Sequence, residues 1–466
     1  MSCNTLISED TSVISKNEKT KKPNIIVILI DDAGYADFGF MGCKDLETPN
    51  IDKLAQSGVI LTDAHVSATV CAPSRAGLIS GKYQQRFGFE ANGTGDESVG
   101  DAGDIGLSND VVTMADVFKK DGYKTIALGK WHLGYSESDH PNKRGFDEFY
   151  GFETGSRSYF LLKNPLKKQM LQHNGERVEF EGYMTDVLGD QSVKYLEESK
   201  DTPFFMYLAY NAVHTPMEAK KEHLKKYKNH PRQILAAMTW SLDENIGKLQ
   251  AKLKELGLED NTLIYFLSDN GGAANNSSSG GPLKGWKGNK FEGGHRVPFV
   301  VSWPSVIKSG QTFSGLSSSL DIFTTSMAAA NIEKEDSFIL DGVNLLPYLK
   351  GEKTGDPHDK LFWRKLEESG ARIGEYKLIR LENYGYTMYN LENDLGETID
   401  ISKDEKETFG NVVNELEAWE TQLMKPLWVE GRDWMDVTYH IHQRLMENKE
   451  VLYNNPKKMK QLLTKD

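Results

Sequence analysis

The amino-acid sequence predicts an α/β fold in which a large, doubly wound mixed sheet is flanked by helices. Short runs of apolar, mostly β-branched residues alternate with longer segments of helical periodicity, as in strand–helix repeats. After about residue 350 this alternation stops, and the pattern indicates a smaller α+β unit. The chain therefore divides into a flexible leader (1–22), a large domain (23–350) and a C-terminal subdomain (351–466) with an antiparallel ribbon and helices.

Five apolar runs predict the strands of the large sheet. The first, Ile25–Ile30, is continuously apolar, as expected for a strand buried on both faces. The other four are Thr125–Leu128, Phe204–Ala209, Thr262–Leu267 and Val297–Val301. Helical patterns separate them at Ile51–Ser57, Met114–Asp121, Asp186–Glu198 and Arg232–Leu256.

The C-terminal subdomain shows a different pattern. Arg372–Arg380 and Tyr386–Leu391 alternate between apolar and polar residues, which predicts the strands of an antiparallel ribbon. Phe409–Met424 has the periodicity of an amphipathic helix. These segments are expected to pack as an α+β unit beside the large sheet.

Composition and charge exclude several classes of function. The chain has 55 basic and 68 acidic residues, a net charge of −13, whereas a nucleic-acid binder needs a basic face. The same charge argues against binding to an anionic membrane surface. An anionic substrate would need a local cluster of cations or metal that outweighs the bulk charge. The 3 cysteines lie in different neighbourhoods and imply no disulfide framework.

The first residues bear on localisation. Cys3 is followed by a polar stretch to Lys22, which resembles the start of a mature bacterial lipoprotein. This interpretation predicts a periplasmic or secreted protein, held at the outer membrane if Cys3 carries a lipid anchor. An incidental cysteine at this position is the alternative.

Two polar pairs follow apolar runs directly. Asp31 and Asp32 come after the first run, and Asp269 and Asn270 come after the fourth. Each pair alone is more typical of a turn or a helix cap. Ligands bind at the carboxyl ends of strands in open α/β sheets, so the two pairs are expected to meet there. Their carboxylate and amide oxygens favour calcium or magnesium over zinc.

Cys71 opens the most informative segment, Cys71–Gly81, which reads CAPSRAGLISG. A cysteine near a proline is, by itself, most often a buried structural thiol. The whole segment, however, resembles the signature of the type I sulfatases, whose fold is alkaline-phosphatase-like. The resemblance implies that a formylglycine-generating or anaerobic maturation enzyme oxidises Cys71 to formylglycine. It also implies that Asp31, Asp32, Asp269 and Asn270 hold one Ca²⁺.

Further segments match the same family in its order along the chain. The resemblance assigns sulfate binding to Lys130 and contact with the formylglycine to His132. It assigns proton donation to the leaving alcohol to His214, and it assigns Lys287 to the bridge between sulfate and leaving oxygen. Arg75 is expected to support the formylglycine. Without the resemblance, Lys130 would be interpreted as a solvated charge and His132 as a hydrogen-bonded structural histidine.

Two loop tracts, Phe87–Thr94 and Gly155–Tyr159, look like those of bacterial sulfatases that act on marine galactans such as carrageenan. Arg157 is therefore expected to contact a sulfated oligo- or polysaccharide. His295 stands where many family members carry an aliphatic residue, which predicts a polar contact to the substrate. A packed core histidine is the alternative for His295.

Three other functions stay open at this point. A glycosaminoglycan sulfatase would use the same chemistry on a different glycan. A phosphate or phosphonate monoester hydrolase belongs to the same superfamily. A sulfated-glycan binder without catalysis would result if Cys71 stays unmodified.

Overall fold

The apolar run nearest the N-terminus forms the middle of a ten-stranded sheet. Our computed structural model describes residues 22–93, 105–335 and 338–451. The strand β1 (Asn24–Ile30) is buried along its whole length. Its odd-numbered residues from Ile25 to Leu29 enter one hydrophobic core, and its even-numbered residues from Ile26 to Ile30 enter another. The side-chain period of two thus explains why this strand is apolar throughout.

The remaining strands follow in chain order. They are β2 (Val59–Leu61), β3 (Ala64–His65), β4 (Lys124–Lys130), β5 (Glu148–Phe152), β6 (Gln172–His173), β7 (Glu176–Arg177), β8 (Phe204–Ala209), β9 (Thr262–Ser268), β10 (Phe299–Ser302), β11 (Gln311–Phe313), β12 (Ser317–Ser318), β13 (Lys360–Lys365), β14 (Glu368–Ile373), β15 (Tyr376–Leu381) and β16 (Gly385–Asn390).

The helices of the described residues are numbered in the same way. They are α1 (Pro49–Gln56), α2 (Cys71–Ser80), α3 (Met114–Lys120), α4 (Met184–Ser199), α5 (Lys221–Lys226), α6 (Gln233–Glu255), α7 (Glu292–His295), α8 (Asp321–Ala329), α9 (Leu346–Leu349), α10 (Lys406–Glu420) and α11 (Arg432–Met446).

The large sheet is mixed, which confirms the predicted fold class. Its strand order is β11–β2–β10–β9–β1–β8–β4–β5–β6–β7. The central strands β9, β1, β8, β4 and β5 run parallel, whereas β10 is antiparallel to both of its neighbours. Helices α2, α3 and α8 pack on one face, and α1, α4 and α6 pack on the other. The carboxyl ends of the parallel strands therefore meet at one edge.

The C-terminal part contains a four-stranded antiparallel sheet in the order β13–β14–β15–β16. The predicted single strand Arg372–Arg380 is wrong, because the chain turns at Gly374 (φ 53°) and divides the segment between β14 and β15. Helix α10 covers one face of this sheet and α11 covers the other. The division of the chain near residue 350 stays a prediction.

No helix in the described ranges combines the length and apolar character that a bilayer crossing requires. Cys3, on which the expectation of a lipid anchor depends, lies outside the described residues. That expectation stays a prediction.

Candidate active site

The polar residues that follow the parallel strands meet at the carboxyl edge of the sheet. The Asp269 amide donates to the Ile30 carbonyl (2.8 Å), which joins the ends of β9 and β1. The Asp31 amide donates to the Ala212 carbonyl (2.9 Å), which joins β1 to the segment after β8. Strand pairing thus places residues that are far apart in the sequence beside one another.

Asp32 has an unusual backbone conformation at the centre of this cluster. Its φ of 62° lies in the left-handed region, which non-glycine residues adopt only at a cost. Asn276 and Ser278 both donate to its carbonyl, at 3.0 Å each, and hold the turn. The Asn270 amide side chain donates to Asp32 Oδ1 (2.8 Å), and the Asp32 amide donates to Asp269 Oδ1 (3.3 Å). The two predicted pairs therefore form one buried group.

Cys71 is the first residue of α2 and points into this group. Its Sγ lies 3.6 Å from Asp31 Oδ1 and accepts a hydrogen bond from Lys287 Nζ (3.0 Å). Every residue of α2 is buried, so the core fixes the helix in place. The amino-terminal end of a helix favours negative charge, which suits an anionic group at Cys71.

Three cations neutralise the three buried carboxylates. Each acid is paired with one cation: Asp31 with Lys130 (2.7 Å), Asp32 with Lys287 (2.6 Å) and Asp269 with Arg75 (2.9 Å). The backbone at the end of β4 sets the direction of Lys130. Gly129 has a φ of 93° there, and a Cβ added at Gly129 would lie 2.0 Å from the Ala209 carbonyl oxygen. Only glycine fits this position, and its turn directs Lys130 toward Asp31.

Ionisation in the cluster follows from burial and from these pairs. Burial raises the pKa of Asp31, but Lys130 and other nearby cations outweigh it and hold the pKa below its usual range. Burial raises the pKa of Asp269 to about 6, with the Asp31 charge acting in the same direction and Arg75 opposing both. Burial also raises the pKa of the Cys71 thiol to about 12, despite Lys130 and Lys287. An unmodified Cys71 is therefore protonated at neutral pH and is a poor nucleophile.

His214 has one ring nitrogen fixed and the other directed at the cluster. Its Nδ1 lies 2.5 Å from the Thr215 carbonyl oxygen, which can only accept, so Nδ1 carries a proton. Its Nε2 lies 3.5 Å from Asp32 Oδ2 and is the atom that can gain or lose a proton. Burial lowers the pKa of His214, although Asp32 and Asp31 act in the opposite direction.

His132 lies just after β4, with a φ of 60° and its amide donating to the Glu153 carbonyl (3.0 Å). Its Nδ1 is buried and has no hydrogen-bond partner within the described part of the chain. Burial, Lys130 and Arg75 together hold the pKa of His132 well below its usual range. The ring is thus a neutral group with a free polar atom beside the cationic cluster.

The donor atoms fit a hard metal ion. Asp31, Asp32, Cys71 and His214 each offer a ligand atom within 4.8 Å of the others. Asn270 Oδ1 is buried without a hydrogen-bond partner among the residues described, as a metal-ligating oxygen would be. Carboxylate and amide oxygens are the ligands that calcium prefers.

His295 lies in the core, which corrects the prediction that it contacts substrate. The side chain is fully buried and stacks on Trp363 with ring centroids 3.8 Å apart. Its Nδ1 lies 2.9 Å from His65 Nδ1. His65, His295 and Glu292 are close enough to hold a metal. The Lys377 ammonium, however, contacts both His295 and Glu292 and already supplies the positive charge. The alternative of a packed core histidine describes this residue.

The Arg157 guanidinium also makes its contacts within the protein. Its Nε donates to the Ser158 carbonyl (3.1 Å), its NH1 donates to the Gln169 carbonyl (2.9 Å), and its guanidinium faces the rings of Phe152 and Phe180. Only 4% of Arg157 is exposed. The expectation that it pairs with substrate sulfates is corrected, because carbonyls and aromatic rings of the same loop region occupy the guanidinium.

One wall of the site was not predicted from the sequence. A cavity of about 380 Å³ adjoins Asp32, His214 and Lys287, and α11 forms its far side through Trp434, Thr438 and Ile441. The remaining lining residues are Val70, Asn92, Thr215, Ala273, Ala274, Asn275, Trp286, Gly288, Asn289, Lys365, Glu430 and Gly431. A tryptophan near the C-terminus was the one available signal, and nothing local connects it to Cys71.

Comparison with known proteins identifies the family. Residues 23–332 match the family model described as Sulfatase, and residues 285–430 match that of the N-sulphoglucosamine sulphohydrolase C-terminal region. The N-acetylgalactosamine-6-sulfatase of Mus musculus is 31% identical over 382 residues, which cover 76% of this chain and 71% of that protein. The steryl-sulfatase of Homo sapiens is 29% identical over 428 residues, which cover 75% and 73%.

A solved structure is also similar over nearly the whole chain. The crystal structure of Ps i-CgsB has a TM-score of 0.83 and 36% sequence identity, and covers 92% of this chain and 100% of its own. The same protein has been solved in complex with k-i-k-neocarrahexaose. The family model spans more than half of the chain and includes Cys71, Lys130, His214 and Lys287 in its matched range. The chain therefore belongs to the sulfatase family and is a sulfuric ester hydrolase.

Proposed function

We propose that this enzyme hydrolyses a sulfate ester on a sulfated carbohydrate, a galactan such as carrageenan, with a formylglycine made from Cys71. The observation that carries the choice of substrate is the similarity to Ps i-CgsB, at 36% identity over 92% of this chain, in a structure that holds a neocarrahexaose. The sequence resemblance of the tracts Phe87–Thr94 and Gly155–Tyr159 to those of sulfatases acting on marine galactans favours the same substrate class, although Arg157 itself makes internal contacts.

The pKa of Cys71 supports the need for modification. Because burial raises the pKa of the thiol to about 12, the unmodified side chain would attack slowly at neutral pH. Oxidation to formylglycine would supply a hydrated aldehyde, in which one hydroxyl attacks sulfur and the other expels sulfate as the aldehyde re-forms. Cys71 Sγ, which lies 3.0 Å from Lys287 Nζ, marks where the hydroxyl oxygens of that hydrate would lie.

The cations around Cys71 are suited to hold the sulfate group. Lys130 and Lys287 would bind its oxygens, because Lys287 Nζ lies 3.0 Å from Cys71 Sγ and Lys130 Nζ is paired with Asp31, the carboxylate 3.6 Å from the same sulfur. Asp31, Asp32, Asp269 and Asn270 would hold Ca²⁺, which, when bound, supplies positive charge that polarises the sulfate oxygens.

His214 is suited to protonate the leaving sugar oxygen. A sugar alkoxide leaves poorly, so a proton must reach it as the S–O bond breaks. His214 lines the cavity, its Nε2 is the nitrogen that is not bonded to the Thr215 carbonyl, and a bound sulfate anion would raise its pKa. His132, a neutral ring beside Lys130, would help to release inorganic sulfate.

Other substrates remain alternatives with distinct outcomes. A glycosaminoglycan is favoured by the match to the N-acetylgalactosamine-6-sulfatases, but at lower identity and coverage. A phosphate or phosphonate monoester would fit the fold and the cationic site. A binder without catalysis would result if Cys71 is never oxidised.

One experiment separates these alternatives. Protein produced together with a formylglycine-generating enzyme is digested, and the mass of the Cys71 peptide is measured. The same preparation is assayed on defined carrageenan and glycosaminoglycan oligosaccharides, on an aryl sulfate and on an aryl phosphate, with inorganic sulfate or phosphate release as the readout. Cys71→Ala is the matched control and is expected to fold normally without turnover.

Carrageenan turnover that depends on oxidised Cys71 would support the proposal. Turnover of glycosaminoglycans alone would show that the substrate is a glycosaminoglycan and not carrageenan. Turnover of the aryl phosphate alone would show that the enzyme hydrolyses phosphate esters. Equal activity in the Cys71→Ala protein would refute the formylglycine mechanism.

Export remains a separate proposal. We infer a periplasmic or secreted enzyme from the resemblance of the N-terminus to a lipoprotein start, and Cys3 would be the lipid-bearing residue. Mass spectrometry of the N-terminal peptide from the native host tests this, since an unmodified Cys3 would exclude the anchor.

A further inference from the structure

The far wall of the catalytic cavity belongs to a single helix. Trp434, Thr438 and Ile441 of α11 line the cavity that Lys287 borders from the sheet side. Their spacing of four and three residues places them on one face of the helix. Trp434 is 41% exposed, so part of its indole is accessible to a ligand.

The same broad face of α11 also packs on the C-terminal sheet. Val437 and Leu445 pack with Ile379 and Tyr389 in a separate hydrophobic core. Ile441 belongs to this core and also reaches the cavity. The residues that pack on the sheet and those that line the cavity therefore share one broad apolar face of the helix, so packing on the sheet fixes the cavity-lining residues in place.

Buried hydrogen bonds connect α11 to the nucleophile. The amide of Lys290 donates to His442 Nε2 (3.0 Å), and His442 Nδ1 lies 3.2 Å from Glu368 Oε1. The Lys290 ammonium donates to Thr69 Oγ1 (3.2 Å), two residues before Cys71. His442 is fully buried. The helix thus has a fixed position relative to Cys71 and is not a loosely attached tail.

The two family models do not describe this wall. Their matched ranges are 23–332 and 285–430, and α11 begins at Arg432. Asp31, Cys71 and Lys287, which surround the reacting group, all lie inside the matched ranges. The residues around the reacting group therefore lie in the part of the chain that the family models match, whereas α11 lies beyond it.

We propose that α11 is the specificity-determining wall of the site and that Trp434 stacks on a sugar ring of the bound carbohydrate. This inference rests on the proposed function. An exposed indole provides a flat apolar face for the C–H face of a sugar ring, while the indole N–H stays available for a hydroxyl. The ion pair of Lys365 with Glu430 (2.9 Å) lies on the same side of the cavity and offers charged groups to sugar hydroxyls.

The test compares Trp434→Ala and Trp434→Phe with the wild type. For each protein, kcat/KM is measured on a sulfated oligosaccharide and on an aryl sulfate, and the ratio of the two values is formed. Tyr384→Ala is the matched control, because Tyr384 is also 41% exposed and contacts Glu447 just beyond α11 but does not line the cavity.

Trp434→Ala removes the stacked ring and is expected to lower the ratio of oligosaccharide to aryl sulfate kcat/KM roughly tenfold. A change of that size corresponds to the free energy of burying one aromatic face. Trp434→Phe should recover part of that loss, and Tyr384→Ala should keep the wild-type ratio. Binding of the oligosaccharide to Cys71→Ala protein, with and without Trp434→Ala, should show a loss of similar size. This second arm needs no turnover.

Two results would overturn the inference. A wild-type ratio in Trp434→Ala would mean that no sugar ring uses the indole. An equal fall of both activities in the alanine and phenylalanine variants would mean that α11 only supports the chemistry. An incorrect proposed function would give a different result from an incorrect role for Trp434. The wild type itself would then cleave the aryl sulfate and none of the sulfated oligosaccharides.

Discussion

Arg75 is predicted to be the residue of the site whose loss most weakens the fold. Its guanidinium is fully buried and donates from Nε (2.9 Å) to Asp269 Oδ2, with NH2 of the same group 2.8 Å from that oxygen. NH1 donates to the Lys130 carbonyl (2.8 Å). Arg75→Met keeps the volume of the stem and removes all three donors, so it isolates the electrostatic part of the interaction.

The size of the effect follows from what the substitution leaves behind. Asp269 would stay buried without its cation, and breaking a buried pair in this way costs about 3–5 kcal/mol. The orphaned Lys130 carbonyl acts in the same direction, while protonation of Asp269 limits the total. Arg75→Lys keeps the charge but not the fork of donors, so its loss should be intermediate.

The loss should also depend on pH, because the Asp269 carboxyl changes its charge. Its folded-state pKa is raised to about 6. A carboxyl with a raised pKa holds its proton more tightly in the folded state, so it destabilises the fold increasingly as pH rises toward that value. Without Arg75 the pKa rises further, and this destabilisation continues to higher pH. The deficit of Arg75→Met relative to wild type should therefore be larger at pH 8 than at pH 5.

Urea unfolding followed by far-ultraviolet circular dichroism, in the presence of a chelator, measures the free energy of unfolding at both pH values. Arg177→Met is the matched control, because its ion pair with Glu179 (3.1 Å) is exposed and should contribute less than about 1 kcal/mol. A deficit for Arg75→Met no larger than that of the control, or one that shrinks as pH rises, would refute this account of the buried cluster.

Two further predictions concern the metal and the acid. Asp31→Asn and Asp269→Asn should lower calcium affinity and activity together, and calorimetric binding unchanged in both variants would exclude the proposed metal site. His214→Ala should depress the rate most for sugar sulfates with poor leaving groups and far less for an activated aryl sulfate. Equal losses on both substrates would show that His214 does not protonate the leaving oxygen.

The large sheet and the position of the cluster could be predicted because their signals are local. The run Ile25–Ile30 is apolar in every residue, as only a strand buried on two faces needs to be, and Asp31 follows without a gap. The ends of parallel strands then converge by topology alone. The strand Arg372–Arg380 was predicted wrongly because apolar alternation continues through the turn at Gly374, and periodicity alone cannot locate a turn.

His295 and Trp434 show why the residues that face the substrate could not be predicted from local sequence signals. The roles of both residues depend on partners that are distant in the sequence. His295 was expected to face the sugar, yet β13 and β15 bring Trp363 and Lys377 against its ring and enclose it. Trp434, which carried no prediction, reaches the cavity because its helix packs on the C-terminal sheet. The C-terminal sheet thus encloses His295, away from the substrate, and places Trp434 at the cavity. Mutations that test substrate choice in this enzyme should therefore be made in the C-terminal subdomain.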